Sequence, residues 1–254
     1  MINCLRVGRG SPIVLQHGFL GGGGYWKPVI EHFANRFDVI VPDLPGFSTS
    51  PDEPFATTIQ EFAKVLVEFL DHLGIHRADV VGHSLGSLVS LQAALDYPGR
   101  VRRLVIYGGS ATAPRHRFEP VEASVSRIES DGIAAVAPGI VKSWFTAGDN
   151  DPYYQLCLEA TRRVRSETAI AALLAISRWD IRGRLGELQV PTLVICGDGD
   201  RSTPPEDSYE LWRGIPNANL CVVPGCAHNV HLEQPAIFNA ILSQFLAGKD
   251  TSQA

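Results

Sequence analysis

The residues with the clearest capacity for chemistry lie in a Gly-x-Ser-x-Gly pattern, Gly82 to Gly86, with Ser84 at its centre. A short apolar run from Ala78 to Val81 precedes it, and an apolar-periodic helix pattern from Leu85 to Tyr97 follows at once. This order predicts a sharp turn between a strand and a helix, which holds the serine hydroxyl at the positive end of the helix dipole. The outer residues must be glycines because a Cβ at either place would collide with the neighbouring strand or helix. The pattern therefore predicts that Ser84 is a nucleophile.

A serine hydroxyl is nearly inert at neutral pH, so a nucleophilic serine needs a base and a group that orients the base. Two later loops, each following a predicted strand, offer Asp198 or Asp200 as the acid and His228 or His231 as the base. The carboxyl ends of parallel strands share one edge of a sheet, so these loops are expected to meet near Ser84. His231 falls at the start of the last predicted helix, where capping or a surface position is the commoner role.

Composition limits the classes of partner. The chain has 254 residues with a net charge of −5, 45% hydrophobic and 19% charged residues, which is the balance of a globular protein with ample material for one large core. No dense cluster of lysine and arginine exists, which argues against nucleic acid as a partner. The four glycines of Gly21 to Gly24 are followed by Tyr-Trp-Lys and not by the Gly-Lys-Ser/Thr of a nucleotide-binding loop.

Five cysteines without a Cys-x-x-Cys pair predict buried, reduced thiols of a cytoplasmic protein. The N-terminus lacks the pattern of a signal peptide, and no apolar run is long enough to span a membrane, so we expect no membrane association. We expect neither a metal nor an organic cofactor. The sequence leaves open whether copies of the chain associate into a homo-oligomer.

The pattern of strands and helices predicts an α/β fold with a mostly parallel central sheet covered by helices on both faces. Strands and helices alternate through residues 1–110 and again through 185–254, which we expect to form the core. Helical patterns dominate residues 111–184, which we expect to form a helical lid. The predicted strands are Pro12 to Gln16, Phe37 to Val41, Ala78 to Val81, Arg103 to Tyr107, Pro191 to Cys196 and Asn219 to Val223; the predicted lid helices are Glu119 to Ser130, Gly132 to Phe145, Pro152 to Arg163 and Glu167 to Arg178.

Over essentially its whole length the chain resembles the α/β-hydrolase superfamily. Two positions depart from the family pattern, since Ala227 and Ser87 stand where glycine is common, but neither change removes a reacting group. The matching segments, in order, are His17-Gly18, Asp43-Leu44-Pro45-Gly46, Gly82-His83-Ser84-Leu85-Gly86, Pro191 to Ile195 leading to Gly197 and Asp200, and His228 leading to Leu232-Glu233-Gln234-Pro235.

The resemblance implies a catalytic triad. Ser84 is its nucleophile, His228 its general base and Asp200 the carboxylate that orients His228, because the family places the acid three residues after Gly197 and not at Asp198. It also implies that the backbone N–H groups of Phe19 and Leu85 form an oxyanion hole. Serine at the nucleophile position argues against the dehalogenases and epoxide hydrolases of the superfamily, which have aspartate there.

Within the superfamily, Val141 to Phe145 and Asp180-Ile181-Arg182 resemble the lid of 3-oxoadipate enol-lactone hydrolases. This likeness implies hydrolysis of a small carboxylic ester or lactone through an acyl-enzyme. Two alternatives stay open: hydrolysis of a C–C bond in a vinylogous diketone on the same triad, and a ligand receptor on the hydrolase fold with slow turnover.

Aromatic residues are the candidates for the wall of a substrate pocket, and we expect Trp26, Trp144 and Phe145 to line it. One arginine of the predicted lid, turned inward, could hold a substrate carboxylate through paired hydrogen bonds. The candidates are Arg115, Arg117, Arg127, Arg162, Arg163, Arg165 and Arg178.

Overall fold

The computed structural model describes residues 2–113 and 119–248. These residues form seven strands and ten α-helices around a single sheet. The strands are β1 (Cys4–Gly8), β2 (Ser11–Gln16), β3 (Phe37–Pro42), β4 (Ala78–His83), β5 (Val101–Tyr107), β6 (Thr192–Gly197) and β7 (Asn219–Val223). The helices are α1 (Lys27–Phe33), α2 (Ile59–His72), α3 (Leu85–Asp96), α4 (Val121–Asp131), α5 (Ile133–Lys142), α6 (Tyr154–Thr161), α7 (Ser166–Ser177), α8 (Pro205–Gly214), α9 (Val230–Glu233) and α10 (Pro235–Ala247).

The sheet has the order β1-β3-β2-β4-β5-β6-β7, and all neighbours are parallel except β1, which runs antiparallel to β3. The central strands are buried on both faces, as parallel strands covered by crossover helices must be. The predicted α/β fold with a mostly parallel sheet is confirmed. All six predicted strands are present, with ends that differ by at most two residues.

Strand β1 was not predicted. It consists of five residues, Cys4–Gly8, all of them exposed, and it pairs only with β3 at the edge of the sheet. A short edge strand without a buried face has no apolar run to reveal it, so its existence depends on the partner strand. Its exposure also places Cys4 at the surface, which corrects the prediction that all the cysteines are buried.

Local sequence explains how the helices next to the central strands begin. Thr58 ends an extended segment, and its hydroxyl accepts a hydrogen bond from the backbone N–H of Glu61 at 3.1 Å. The Glu61 carboxylate in turn accepts from the backbone N–H of Thr57 at 2.7 Å, so two otherwise unpaired donors at the start of α2 are satisfied. Helix α3 is buried along most of its length and packs on both β4 and β5. This packing fixes the position of Ser84, the residue that precedes the helix.

Helices α4 to α7 lie between β5 and β6 in the chain; we call residues Val121–Ser177 the helical segment. Its helices pack on one another, and α4 contacts both α5 and α7. After α7 the chain returns to the segment that follows β5, where the backbone N–H of Ile181 donates to the carbonyl of Ala111 at 2.8 Å. The predicted helix from Gly132 to Phe145 ends earlier, at Lys142, because the chain turns there through Ser143 and Trp144.

Within residues 2–113 and 119–248, no helix is both long enough and apolar enough to cross a membrane.

Candidate active site

Ser84 occupies a strained turn between β4 and α3. Its backbone has φ 52° and ψ −119°, a positive φ that side chains with a Cβ rarely adopt. Its N–H donates to the carbonyl of Tyr107 at 2.9 Å, and its own carbonyl accepts from the Ser87 hydroxyl at 2.6 Å. The turn is therefore held from the neighbouring strand on one side and from the helix on the other.

The surrounding glycines allow the backbone to approach this closely. A Cβ on Gly82 would lie 2.3 Å from the carbonyl oxygen of Gly86, and one on Gly86 would lie 2.4 Å from the carbonyl oxygen of Gln16. A Cβ on Gly18 would lie 2.8 Å from the Cβ of Ser84, so the loop after β2 runs directly against the serine. These contacts give the physical reason for the predicted glycine pattern.

Two loops at the carboxyl ends of β6 and β7 bring Asp200 and His228 together. The Nδ1 atom of His228 lies 2.7 Å from Oδ2 of Asp200, and both side chains are almost fully buried. The other oxygen of Asp200 accepts from the backbone N–H groups of Ser202 at 2.8 Å and Thr203 at 3.1 Å. The Thr203 hydroxyl completes the set by donating to Oδ2 at 3.0 Å.

These contacts decide the charge of the acid. Burial raises the pKa of Asp200, but the charge and N–H of His228 and the N–H groups of Thr203 and Ser202 outweigh it, so the pKa lies below its ordinary value. Asp200 is therefore an acceptor at neutral pH, and the proton between the two side chains belongs to Nδ1 of His228. In the neutral imidazole this leaves Nε2 free to accept a proton.

The competing candidates lie elsewhere. Asp198 is exposed and accepts from the backbone N–H groups of Gly225 at 2.8 Å and Cys226 at 3.3 Å, so it braces the turn after β7. His231 lies in α9, which was not predicted; it is fully buried and not at the surface, with Nδ1 3.1 Å from the hydroxyl of Tyr107. Burial, together with the charge of His228, lowers the pKa of His231 to about 3, so its ring is neutral in the folded protein.

The peptide between Gly18 and Phe19 is held from both sides. The carbonyl of Gly18 accepts from the backbone N–H of Gly21 at 3.0 Å and from Nδ1 of His17 at 2.8 Å. His17 must carry its proton on Nδ1, because its Nε2 accepts from the backbone N–H of Leu44 at 2.8 Å. The trans peptide then directs the N–H of Phe19 away from that carbonyl.

The backbone N–H groups of Phe19 and Leu85 have no acceptor among the described residues. Leu85 is the first residue of α3, where the N–H has no partner within the helix. Both residues line the same cavity as Ser84. Two residues with an unpaired backbone N–H group therefore lie in the wall of the cavity that Ser84 also lines.

That cavity has a volume of about 780 Å³ and lies between the sheet edge and the helical segment. Ser84 and His228 both line it. Four charged residues also line it, Glu119, Arg127, Asp131 and Arg201, and Arg127 forms an ion pair with Glu119. The apolar part of the wall comes from the loop after β2, from the core helix α3 and from the helical segment: Phe19, Leu85, Leu88, Ile128, Ala135, Val136, Ile140, Trp144, Leu173 and Ile176.

The predicted aromatic residues divide between the cavity wall and the core. Trp144 lines the cavity, whereas Trp26 and Phe145 are absent from the described residues that do so. Trp26 is fully buried because the turn Gly23–Trp26 folds its ring inward, 4.6 Å from the ring of His231. Phe145 is also buried in the core cluster. The placement of Trp26 and Phe145 in the pocket wall is therefore corrected.

Among the candidate arginines named above, Arg127 lines the cavity. Arg115 and Arg117 lie outside the described residues. A second arginine at the cavity, Arg201, comes from the loop after β6, outside the predicted lid to which the candidate arginines belong.

Sequence reasoning also missed Tyr25, Tyr107 and Thr203, which contact the site residues. Tyr107 ends β5, Tyr25 lies in the turn Gly23–Trp26, and Thr203 lies in the loop between β6 and α8. An isolated tyrosine or threonine in such a place carries no pattern. No group of three or more histidine, cysteine, aspartate or glutamate side chains within the described ranges could hold a metal ion.

Comparison with known proteins identifies relatives along nearly the whole chain. The model of the alpha/beta hydrolase fold family matches residues 11–137 and 141–235. A protein of Azorhizobium caulinodans named "Putative carbamate hydrolase RutD" is 30% identical over 243 residues, which cover 94% of this chain and 92% of that protein.

A second relative is the 2-hydroxy-6-oxo-6-phenylhexa-2,4-dienoate hydrolase of Burkholderia cepacia, 27% identical over 260 residues that cover 95% of this chain and 89% of that protein. Among solved structures, the enol-lactonase from Burkholderia xenovorans LB400 superposes with a TM-score of 0.90 at 22% identity, covering 97% of this chain and 96% of that one. At that identity the likeness concerns the fold.

Proposed function

Since the chain belongs to the alpha/beta hydrolase family and its relatives named above are hydrolases, we propose that it is a serine hydrolase that cleaves a small carboxylic ester or lactone through an acyl-enzyme. The observation that carries the proposal is the buried pair of His228 and Asp200, 2.7 Å apart, in which His228 lines the same cavity as the strained Ser84. This constellation has the parts of a nucleophile, a base and an orienting acid.

In the proposed first step, Ser84 Oγ attacks the carbonyl carbon of the substrate while Nε2 of His228 takes the hydroxyl proton. The imidazolium that forms is stabilised by the ionised Asp200, whose other hydrogen bonds keep it in place. His228 then returns the proton to the leaving alcohol, and water repeats the sequence to release the acid. Positioned proton transfer of this kind contributes about 10²–10⁴-fold in rate.

The negative charge that develops on the substrate oxygen requires donors that are already in place. The unpaired N–H groups of Phe19 and Leu85 supply them in this proposal, and the Leu85 donor has the added field of the α3 N-terminus. Loss of a single such donor typically costs about 3 kcal/mol in transition-state stabilisation.

The shape of the cavity bears on the substrate. Its volume of about 780 Å³ falls in the range of pockets that hold small organic molecules, and most of its wall is apolar. This favours an ester or lactone with a hydrocarbon portion over a small, highly polar acid derivative. We propose that the helical segment acts as a lid, since α4, α5 and α7 provide much of the apolar wall.

We propose a cytoplasmic location, which the state of the thiols supports. The five cysteines, Cys4, Cys157, Cys196, Cys221 and Cys226, are all described and all free of disulfide bonds. Reduced thiols support a cytoplasmic location.

A second candidate is hydrolysis of a C–C bond in a vinylogous diketone. It is favoured by the relative from Burkholderia cepacia, whose name gives a dienoate substrate of that type. The same serine, histidine and acid would serve both reactions, so the two candidates differ in the substrate and not in the site.

The experiment is labelling with a fluorophosphonate probe followed by peptide mapping, then a panel of 4-nitrophenyl esters, lactones and ring-fission diketones. We expect the label on Ser84, and we expect Ser84→Ala to abolish both labelling and ester turnover. Ser177→Ala, which removes a hydroxyl at the end of α7, should behave as the wild type. Label on another residue, or turnover by Ser84→Ala within tenfold of the wild type, would remove Ser84 from its role.

A further inference from the structure

His83, the residue before Ser84, is buried between the loop after β7, which carries His228, and Tyr25, which follows the glycines Gly21 to Gly24. Its Nε2 lies 3.0 Å from the backbone carbonyl oxygen of His228, and its Nδ1 lies 3.0 Å from the hydroxyl of Tyr25. That hydroxyl lies 2.6 Å from the backbone nitrogen of Gly18. A continuous chain of hydrogen bonds therefore runs from the backbone of His228 to the backbone of Gly18.

The direction of each bond in this chain is determined. A carbonyl oxygen only accepts, so Nε2 of His83 must carry the ring proton and donate it to His228. Nδ1 of the neutral ring is then an acceptor, and the hydroxyl of Tyr25 donates to it. The oxygen of Tyr25 in turn accepts from the backbone N–H of Gly18. Reversing one bond would leave a buried polar group without a partner, which is costly.

The ring of His83 is kept neutral and in place. Burial lowers the pKa of His83 well below its ordinary value, and the nearby charges of His228 and His231 lower it further. Its ring stacks on that of Tyr107, with centroids 4.4 Å apart. The hydroxyl of Tyr107 also reaches the carbonyl of His228, at 2.7 Å, so two side chains hold that one backbone group.

We propose that His83 and Tyr25 are positioning residues that set the placement of the base His228 and of the Phe19 donor together. The inference rests on the proposed function, because it assigns these two residues to the same serine chemistry. Neither side chain needs to touch the reacting atoms.

The geometry of the two loops couples these placements. The carbonyl that His83 holds belongs to the backbone of His228, so a shift there moves the imidazole relative to Ser84. Gly18 precedes the peptide that presents the N–H of Phe19, and Tyr25 fixes its nitrogen while His17 fixes its carbonyl. Misplacement of reacting groups by about 1 Å can cost about 10²-fold in rate.

The test compares Tyr25→Phe, His83→Ala, His83→Gln and the double variant Tyr25→Phe/His83→Ala. Each is assayed with 4-nitrophenyl butyrate for kcat and KM and with a fluorophosphonate for the rate of labelling at Ser84. Tyr154→Phe is the matched control, because its hydroxyl donates to the carbonyl of Pro138 at 3.3 Å in the helical segment, away from the chain of bonds. Thermal unfolding of every variant establishes that it is folded.

We expect Tyr25→Phe to lower kcat by about tenfold and His83→Ala by about 10²-fold, with KM within about threefold of the wild type. The double variant should be no worse than His83→Ala, because the two residues act through one chain. His83→Gln, whose amide can still donate to the carbonyl of His228, should recover about tenfold over His83→Ala.

Three results overturn the inference. If the single variants keep kcat and labelling rate within twofold of the wild type, His83 and Tyr25 do not position the site, and the proposed function stands. Losses that multiply in the double variant would mean two independent structural effects. If the folded wild-type protein is neither labelled at Ser84 nor active, the proposed function fails and takes this inference with it.

Discussion

The strained backbone of Ser84 predicts that the protein becomes more stable when this residue is replaced by glycine. A residue with a Cβ held at φ 52° and ψ −119° costs about 1–3 kcal/mol, and glycine adopts such angles without that penalty. Against this, glycine gives the unfolded chain extra freedom, worth about 0.4–1 kcal/mol. With the middle value of each range, the net gain is about 1.3 kcal/mol.

The reference for this gain is Ser84→Ala, which loses the hydroxyl but keeps the Cβ and its strain. Both variants keep the hydrogen bond from the backbone N–H of residue 84 to the carbonyl of Tyr107. The comparison therefore isolates the backbone. Urea unfolding gives the free energies of unfolding, and thermal unfolding should place the glycine variant about 2–6 °C above the alanine variant for a chain of this size.

The matched control is the same pair of substitutions at Ser90, inside α3. There glycine should be less stable than alanine by about 1 kcal/mol, since glycine is unfavourable within a helix. A Ser84→Gly variant no more stable than Ser84→Ala would refute the reasoning, because it would mean that the turn stores no strain.

Two further predictions follow from the charges of the site. Asp200→Asn should lower kcat for an activated ester by about 10³–10⁴-fold, because the amide no longer holds the proton of His228 on Nδ1; Asp198→Asn should stay within threefold, and an equal loss in both would contradict the assignment of the acid. The free energy of unfolding should also decrease as the pH is lowered. The reason is that burial lowers the pKa of His83 and lowers the pKa of His231 to about 3. Both rings stay neutral in the folded state while the unfolded chain takes up protons, so stability is full above about pH 6.5 and is lost toward pH 3 by up to about 1.4 kcal/mol per unit for each ring. Urea unfolding at pH 7 and pH 5 measures this loss, and an unchanged free energy would show that the rings titrate normally.

The sequence predicted the features that depend on local pattern. Long apolar runs revealed the buried strands, and the glycine pattern around Ser84 revealed the turn, since only residues without a Cβ fit beside Gln16 and the carbonyl of Gly86. The order of serine, acid and histidine narrowed the site to a few residues. Resemblance to the family then favoured Asp200 and His228, which the structure places 2.7 Å apart.

Features that depend on contacts between distant parts of the chain could not be predicted in this way. Trp26 is of a residue type that is common in pocket walls, yet it is buried because the preceding glycines let the chain fold into a tight turn. His231 has the position of a helix cap, but its ring is enclosed by Trp26 and Tyr107. Such placements depend on which aromatic rings pack together in the core, and these contacts cannot be predicted from a single sequence.

The direct pairing of β5 with β6 determines where the protein can accept changes in its sequence. The register from Leu104 opposite Thr192 to Tyr107 opposite Ile195 brings the two strands side by side, although the whole helical segment separates them along the chain. The chain thus leaves the sheet at the end of β5 and rejoins it at the neighbouring strand β6. The pairing of these two strands does not depend on the sequence of the helices that separate them along the chain. Changes in α4, α5 and α7 can therefore reshape the apolar wall of the cavity, while β4, β6 and β7 still carry the loops of Ser84, Asp200 and His228.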